Sequence, residues 1–349
     1  MTKKSNRRVR RVFLFLLALM CVSCIPSRTS PKKEKVRIGF SIATATFIIE
    51  RWNKDIKIFT GAVRDLGAES IVQLSAGGTK EQIDQINFLI ASNIDVLVVI
   101  AHDTNMLSGV IKKAKDQKIP VIAYDRLIMG VPIDAYISFN NQEVGRLFAK
   151  ALLQAVPRGN YVIVNGSVHD SNSYEVNSGL YEILAPQISS KNVRIVEEIW
   201  LDEWSSDEAL VKIGRILERN RDIDAISCAN DQIASAAIQL LSEYRLAGKV
   251  AVVGQDADIG ACQKIVEGTQ LMTVYKPIAR LASRAAEIAV SLSGGELPEP
   301  DMYLDNTSGS MVPFYMEEPR AVFKNNLDSS VIADGFHSAE DVYRNTKAE

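Results

Sequence analysis

Ten short apolar runs recur along the chain, and amphipathic stretches separate them. They are VRIGFSI at 36–42, SIVQL at 70–74, DVLVVIA at 95–101, PVIAY at 120–124, AYISF at 135–139, YVIVNG at 161–166, VRIVEEIW at 193–200, AISCA at 225–229, VAVVG at 250–254 and LMTVY at 271–275. Within most runs the apolarity is unbroken, which suits strands covered on both faces of a parallel sheet. The intervening stretches are helical in period. Trp52, Ile56, Phe59, Val63 and Leu66 share one face, and Gly67 then supplies a C-terminal cap. Val144, Leu147, Phe148, Ala151, Leu152 and Ala155 mark a second such helix. Strand–helix alternation predicts an α/β fold of doubly wound parallel sheets. Ten strands are too many for one ordinary sheet, and 349 residues suit two domains. Two lobes are therefore expected, with a crossing near Phe139-Asn140-Asn141.

The N-terminus has a different character. Lys3, Lys4, Arg7, Arg8, Arg10 and Arg11 precede the apolar stretch Val12–Val22, which suits a signal-peptide core and is too short to span a bilayer. Residues 1–23 are predicted to be a signal peptide. The Ser23-Cys24 pair has the form of a lipoprotein cleavage site, with Cys24 as the lipid anchor and a polar tether over residues 24–35. Setting aside residues 1–23 leaves 34 Lys/Arg against 42 Asp/Glu, a net charge of −8. That balance argues against a nucleic-acid partner. Four cysteines are too few for a disulfide scaffold, and Cys228 and Cys262 read as buried thiols.

Polar residues gather just after the strands. Asp125-Arg126 follows PVIAY, Asn230-Asp231 follows AISCA, Gln255-Asp256 follows VAVVG and Lys276 follows LMTVY, while Arg51 opens the helix after the first run. In open α/β sheets, ligands bind beyond the carboxyl ends of the strands. Carboxylate, guanidinium and amide groups at such positions suit sugar hydroxyls, each of which both donates and accepts. An apolar sugar face also needs an aromatic platform, for which Trp204 and Trp200 are candidates. Trp204 is expected to stack on sugar and Trp200 to sit in the sheet core. Any one Asp or Asn after a strand can equally be a helix cap, and Asp231 and Asp258 are expected to be caps.

Catalytic signatures are weak. His102, His169 and His337 are far apart, and no H-x-x-x-H, C-x-x-C or H-E-x-x-H spacing supports a metal site. Phosphate-binding glycine loops and the G-x-S-x-G elbow do not occur. His169-Asp170-Ser171 carries triad letters, but triad members meet through the fold and not along the chain, so it reads as loop polarity. The expectation is a binding protein with no enzyme activity, no cofactor and no metal.

Longer phrases carry a family resemblance. Glu50-Arg51-Trp52 with Lys54-Asp55, Ala123–Arg126, Tyr136–Phe139, PRGNY at 157–161, KVAVVGQDAD at 249–258, GTQLMTVYKP at 268–277 and IADGFH at 332–337 occur in order. With them the chain resembles the periplasmic sugar-binding proteins of ABC transporters, of the type I fold, over about residues 36–340. The resemblance implies two lobes joined by a three-strand hinge. The first would hold residues 36–139 plus about 278–303, the second 140–277 plus about 304–345. It also implies a monosaccharide held between them by Arg51, Asp125, Arg126, Asn172, Trp204, Asn230, Asp256 and Lys276. The implied ligand is D-xylose, with D-glucose or D-galactose next, and the implied partner an ABC permease. The protein would be a monomer anchored by lipid in the periplasm or at the cell surface. Loop Ala43–Ile49 (ATATFII) departs from the family by its length and apolarity, and bears on which sugar fits.

Three other functions share this fold. A transcription-factor core on this fold needs an N-terminal helix-turn-helix, and the signal and tether occupy that place. An enzyme lacks the nucleophile and cofactor loops. A sensor that presents sugar to a chemoreceptor or kinase has the same sequence features as a transporter component.

Overall fold

The computed structural model describes residues 35–43 and 49–345, with side chains from Arg51 onward in the second stretch. The signal peptide, the tether up to residue 34, Cys24 and most of loop Ala43–Ile49 lie outside the described residues.

All ten apolar runs form strands: β1 (Arg37–Ala43), β2 (Glu69–Ser75), β3 (Val96–Ile100), β4 (Val121–Tyr124), β5 (Ala135–Phe139), β6 (Gly159–Ser167), β7 (Val193–Leu201), β8 (Ala225–Cys228), β9 (Ala251–Gln255) and β10 (Met272–Tyr275). Three more occur among the described residues, β11 (Met302–Asp305), β12 (Met311–Glu317) and β13 (Arg320–Val322). The helices are α1 (Ile49–Asp65), α2 (Thr79–Ala91), α3 (Ser108–Asp116), α4 (Asn141–Ala155), α5 (Ser171–Ser189), α6 (Ser206–Arg219), α7 (Asp231–Glu243), α8 (Ile259–Glu267), α9 (Ile278–Ser293) and the short α10 (Ala339–Val342).

Two sheets result. The first runs β2-β1-β3-β4-β5-β12-β11 and the second β7-β6-β8-β9-β10-β13. The first five strands of each sheet are parallel and follow one winding, in which the second strand in sequence lies at the edge and the first beside it. β11 and β13 add antiparallel edges. Each sheet therefore has a switch point, between β1 and β3 and between β6 and β8, where loops diverge and leave a crevice at the carboxyl ends.

The doubly wound character shows in β3. Val96, Val98 and Ile100 pack with Trp52, Phe59 and Val63 of α1 and Leu281 and Ala285 of α9. Leu97 and Val99 face the other way, onto Ile86 and Leu89 of α2 and Val110 and Ile111 of α3. A strand wetted on neither face has no position for a polar residue, hence the unbroken run. Of the expected apolar face of α1, Trp52, Phe59 and Val63 are buried and Ile56 partly so, while Leu66, just past the helix, is 47% exposed. Gly67 adopts φ 82° just beyond the helix, the conformation expected of a glycine cap.

The chain crosses between the lobes three times: after β5, after β10, and between β12 and β13. The first and third crossings touch, with the Asn140 amide donating to the Glu317 carbonyl at 3.0 Å. The expected return to the second lobe at about residue 304 is corrected by this topology. β11 and β12 still belong to the first sheet, with Phe314 paired to Tyr136, so the return falls after Glu317. Pro313 hid β12 from the periodicity, and β13 is only three residues long.

Candidate functional site

All eight residues expected at the site line one cavity at the carboxyl ends of both sheets. Trp52, Asp170 and Gln255 complete the lining. Arg51 and Trp52 come from the first turn of α1, and Asp125 and Arg126 from the turn after β4. The second lobe supplies Asp170 and Asn172 at the start of α5, Trp204 before α6, Asn230 at the start of α7, Gln255 and Asp256 at the end of β9, and Lys276 after β10.

Charged groups form a chain across the cavity. The Arg51 guanidinium donates to Asp125 Oδ2 in its own lobe and lies 3.6 Å from Asp256 Oδ1 in the other. Lys276 Nζ lies 3.0 Å from the same Asp256 oxygen. Arg126 reaches across the lobes to Asp170 Oδ2 at 2.8 Å and donates to the Ala101 carbonyl at 2.8 Å. Three cations thus face three carboxylates. Burial alone would raise the Asp125 carboxyl, but Arg51, Lys276 and Arg126 outweigh it and hold it below its usual range. Behind them, burial pushes Asp55 up to about 7, against the pull of Arg51 and the Tyr124 hydroxyl that donates to it. A lining so balanced in charge favours an uncharged polar ligand over an anion or a cation.

The two asparagines are anchored by other protein groups. Asn172 Nδ2 donates to the carbonyl and carboxylate of Asp125, both at 3.1 Å, while its Oδ1 accepts from Asn141 Nδ2 at 3.0 Å. Asn230 Oδ1 caps α7 by accepting from the Ile233 amide at 2.9 Å, which leaves its NH₂ for the cavity. The cap of α7 is therefore Asn230, and the expectation that Asp231 caps is corrected: its carboxylate turns into the protein toward Thr273 and Gln270. Asp258 does occupy the cap position of α8, without a side-chain hydrogen bond to it.

Trp204 is buried at 7% exposure and donates its indole N–H to Asp170 Oδ2 at 3.0 Å. Its ring lies against Gly166, where a Cβ would collide with it. Trp200 does not sit in the sheet core. It lies half-buried on the edge strand β7, against the exposed ring of Tyr174 at 4.7 Å. Cys228 and Cys262 are buried free thiols, as expected.

Sequence reasoning missed three lining residues. Asp170, which reads as loop polarity in the sequence, caps α5 and holds both Arg126 and Trp204. Its place after β6 matches the places of Asp125 and Asp256 after their strands, and that was the available signal. Trp52 belongs by its spacing to the apolar stripe of α1, and it is buried there, beneath the Arg51 guanidinium at 4.5 Å from its ring. Gln255 stands beside Asp256 after the same strand, where the sequence alone does not separate their roles. It anchors by donating to the Ala229 carbonyl at 2.6 Å.

A two-lobed α/β molecule with a polar cavity between paired sheet ends has the architecture of an extracytoplasmic solute-binding protein. The chain belongs to the periplasmic binding protein domain family, which matches residues 40–297. It is 43% identical over 329 residues to the D-xylose-binding periplasmic protein of Haemophilus influenzae, covering 94% of this chain and 98% of that one. It is 41% identical over 328 residues to the D-xylose-binding periplasmic protein of Escherichia coli, with 94% and 98% covered. A solved ABC transporter solute binding protein from Clostridium phytofermentans, with bound β-D-glucose, shares the fold at a TM-score of 0.80. The identity there is 25%, with 88% of this chain and 99% of that one covered. The relatives are sugar-binding transport proteins, and the fold is their type I fold.

Proposed function

We propose that this protein binds a monosaccharide, D-xylose first, in the cleft between its lobes and delivers it to an ABC permease. The observation that carries the reading is the lining itself: three cations, three carboxylates, amides and an indole from both lobes. They sit in a chain that is 43% identical over 329 residues to a D-xylose-binding periplasmic protein. Arg51, Asp125, Arg126, Asn172, Asn230, Asp256 and Lys276 hold the hydroxyls, and Trp204 covers the apolar face of the ring. Each buried hydroxyl must be paired, because a stranded polar group costs about 1–3 kcal/mol.

Closure is the working step. Sugar contacted by both lobes stabilises the closed state by its differential affinity for it. The protein is not an enzyme in this reading and needs no cofactor. It works outside the cytoplasm as a monomer, held at the membrane by lipid on Cys24. The basic and apolar segment before Ser23-Cys24 supports that anchor.

Calorimetry with D-xylose, D-glucose, D-galactose and D-ribose tests the ligand. D-xylose is expected to bind most tightly. The two hexoses should follow, since one added carbon typically shifts affinity by only about 1–3 kcal/mol. D-ribose should not bind, because its axial 3-hydroxyl would lie against the indole. Ribose binding tighter than xylose would overturn both the stacking and the ligand assignment.

A further inference from the structure

The turn after β9 departs from ordinary backbone. Asp256 and Ala257 are consecutive non-glycine residues at φ 98° and 53°. Such conformations persist only where the surroundings hold them. What holds this turn lies behind the cleft. Thr273 Oγ1 accepts from the Ala257 amide at 3.2 Å and donates to Asp231 Oδ2 at 2.7 Å. The same Asp231 oxygen accepts from the Asp258 amide at 3.0 Å, and Asp231 Oδ1 accepts from Gln270 Nε2 at 2.9 Å. Two successive amides of the turn therefore lead to one carboxyl group, directly or through one hydroxyl. Asp231, Thr273 and Gln270 are all buried, at 1%, 0% and 2% exposure. Gly254 on β9 makes the room, since a Cβ there would collide with Asp231 Oδ1.

Asp231 neither lines the cavity nor caps its helix. We propose that Asp231 is a positioning residue. Through Thr273 and the Asp258 amide it fixes the left-handed turn that carries Asp256, and so sets where the Asp256 carboxylate meets Lys276, Arg51 and the ligand. The assignment rests on reading the cleft as a monosaccharide site. The first lobe solves the same problem with hydroxyls. Asp125, at φ 64°, has its carbonyl held by Tyr136 at 3.1 Å and Ser138 at 2.7 Å from the neighbouring strand.

A double-mutant cycle read by calorimetry with D-xylose on the full chain tests it. The variants are D231N, D256A and D231N/D256A, with D125A and D231N/D125A as the reference pair. An amide at position 231 brings an NH₂ into a site that receives three donors, so the turn should relax. D231N is expected to weaken binding about tenfold alone, by less than about twofold in the D256A background, and still about tenfold in the D125A background. T273V, which removes the hydroxyl between Asp231 and the turn, should repeat the pattern and carries the cycle if D231N does not fold. A merely structural role would give the same loss in every background. An equal loss in the D256A background, or no loss in the wild-type background, overturns the assignment. Wild-type protein that binds none of the monosaccharides overturns the sugar reading itself, and the positioning role falls with it.

Discussion

Asp125 and Asp256 occupy matching places on opposite lobes, and both carboxylates converge on Arg51. Each stands just beyond a strand, at φ 64° and 98°, with its amide donating at 2.8 Å to the neighbouring strand, at Ile137 and Val274 respectively. Arg51 therefore bridges the cleft, with one carboxylate partner in its own lobe and the other across it. Asp125→Asn should weaken D-xylose binding by about 2–4 kcal/mol, since a charge-assisted hydrogen bond is lost and the guanidinium loses its nearest carboxylate. Calorimetry measures the loss. Circular dichroism should show the fold retained, because Asp55 and Asp256 still flank Arg51.

Tryptophan fluorescence separates the aromatic residues. Trp204 and Trp52 line the cavity, while Trp200 lies on the edge strand beside Tyr174. Sugar should change the emission, Trp204→Phe should remove most of the change, and Trp200→Phe should leave it intact. A response that survives Trp204→Phe and vanishes in Trp200→Phe would remove Trp204 from the site.

Stability of the ligand-free protein should carry the signature of Asp55. Burial raises its carboxyl from 3.8 to about 7 in the folded protein. The folded state then binds a proton more tightly than the unfolded chain does. This contribution to stability is fully present below the unfolded value and is lost as pH rises through about 7. Thermal melts of the wild type against Asp55→Asn test it. The variant, which does not ionise there, should lose less of its melting temperature between pH 5 and pH 8. Equal slopes would show that Asp55 is ionised throughout that range.

Membrane association should depend on Cys24. Cys24→Ala should move the protein to the soluble fraction, because each buried acyl CH₂ contributes about 0.8 kcal/mol to membrane affinity. Unchanged sedimentation with membranes would reject acylation at that residue.

The sequence alone determined the winding. Unbroken apolar runs such as VLVVI at 96–100 can satisfy both faces only inside a helix-covered parallel sheet, and all ten runs became strands. Strand ends were legible for a related reason. A charged residue directly after a buried strand, such as Asp125 or Asp256, has few places to go except the crevice beyond the sheet. Tertiary structure decided what depended on partners distant in the chain. Asp170 reads as loop polarity until Arg126, 44 positions earlier, and Trp204, 34 positions later, both meet its carboxylate. Asp231 reads as a cap until Gly254 and Thr273 open and fill the space behind it. β12 reads as loop, with Pro313 inside it, until β5 and β11 pair on either side and carry the first lobe on to Glu317. Period and composition record the burial of a residue. Which neighbour buries it depends on chain segments that local pattern does not connect.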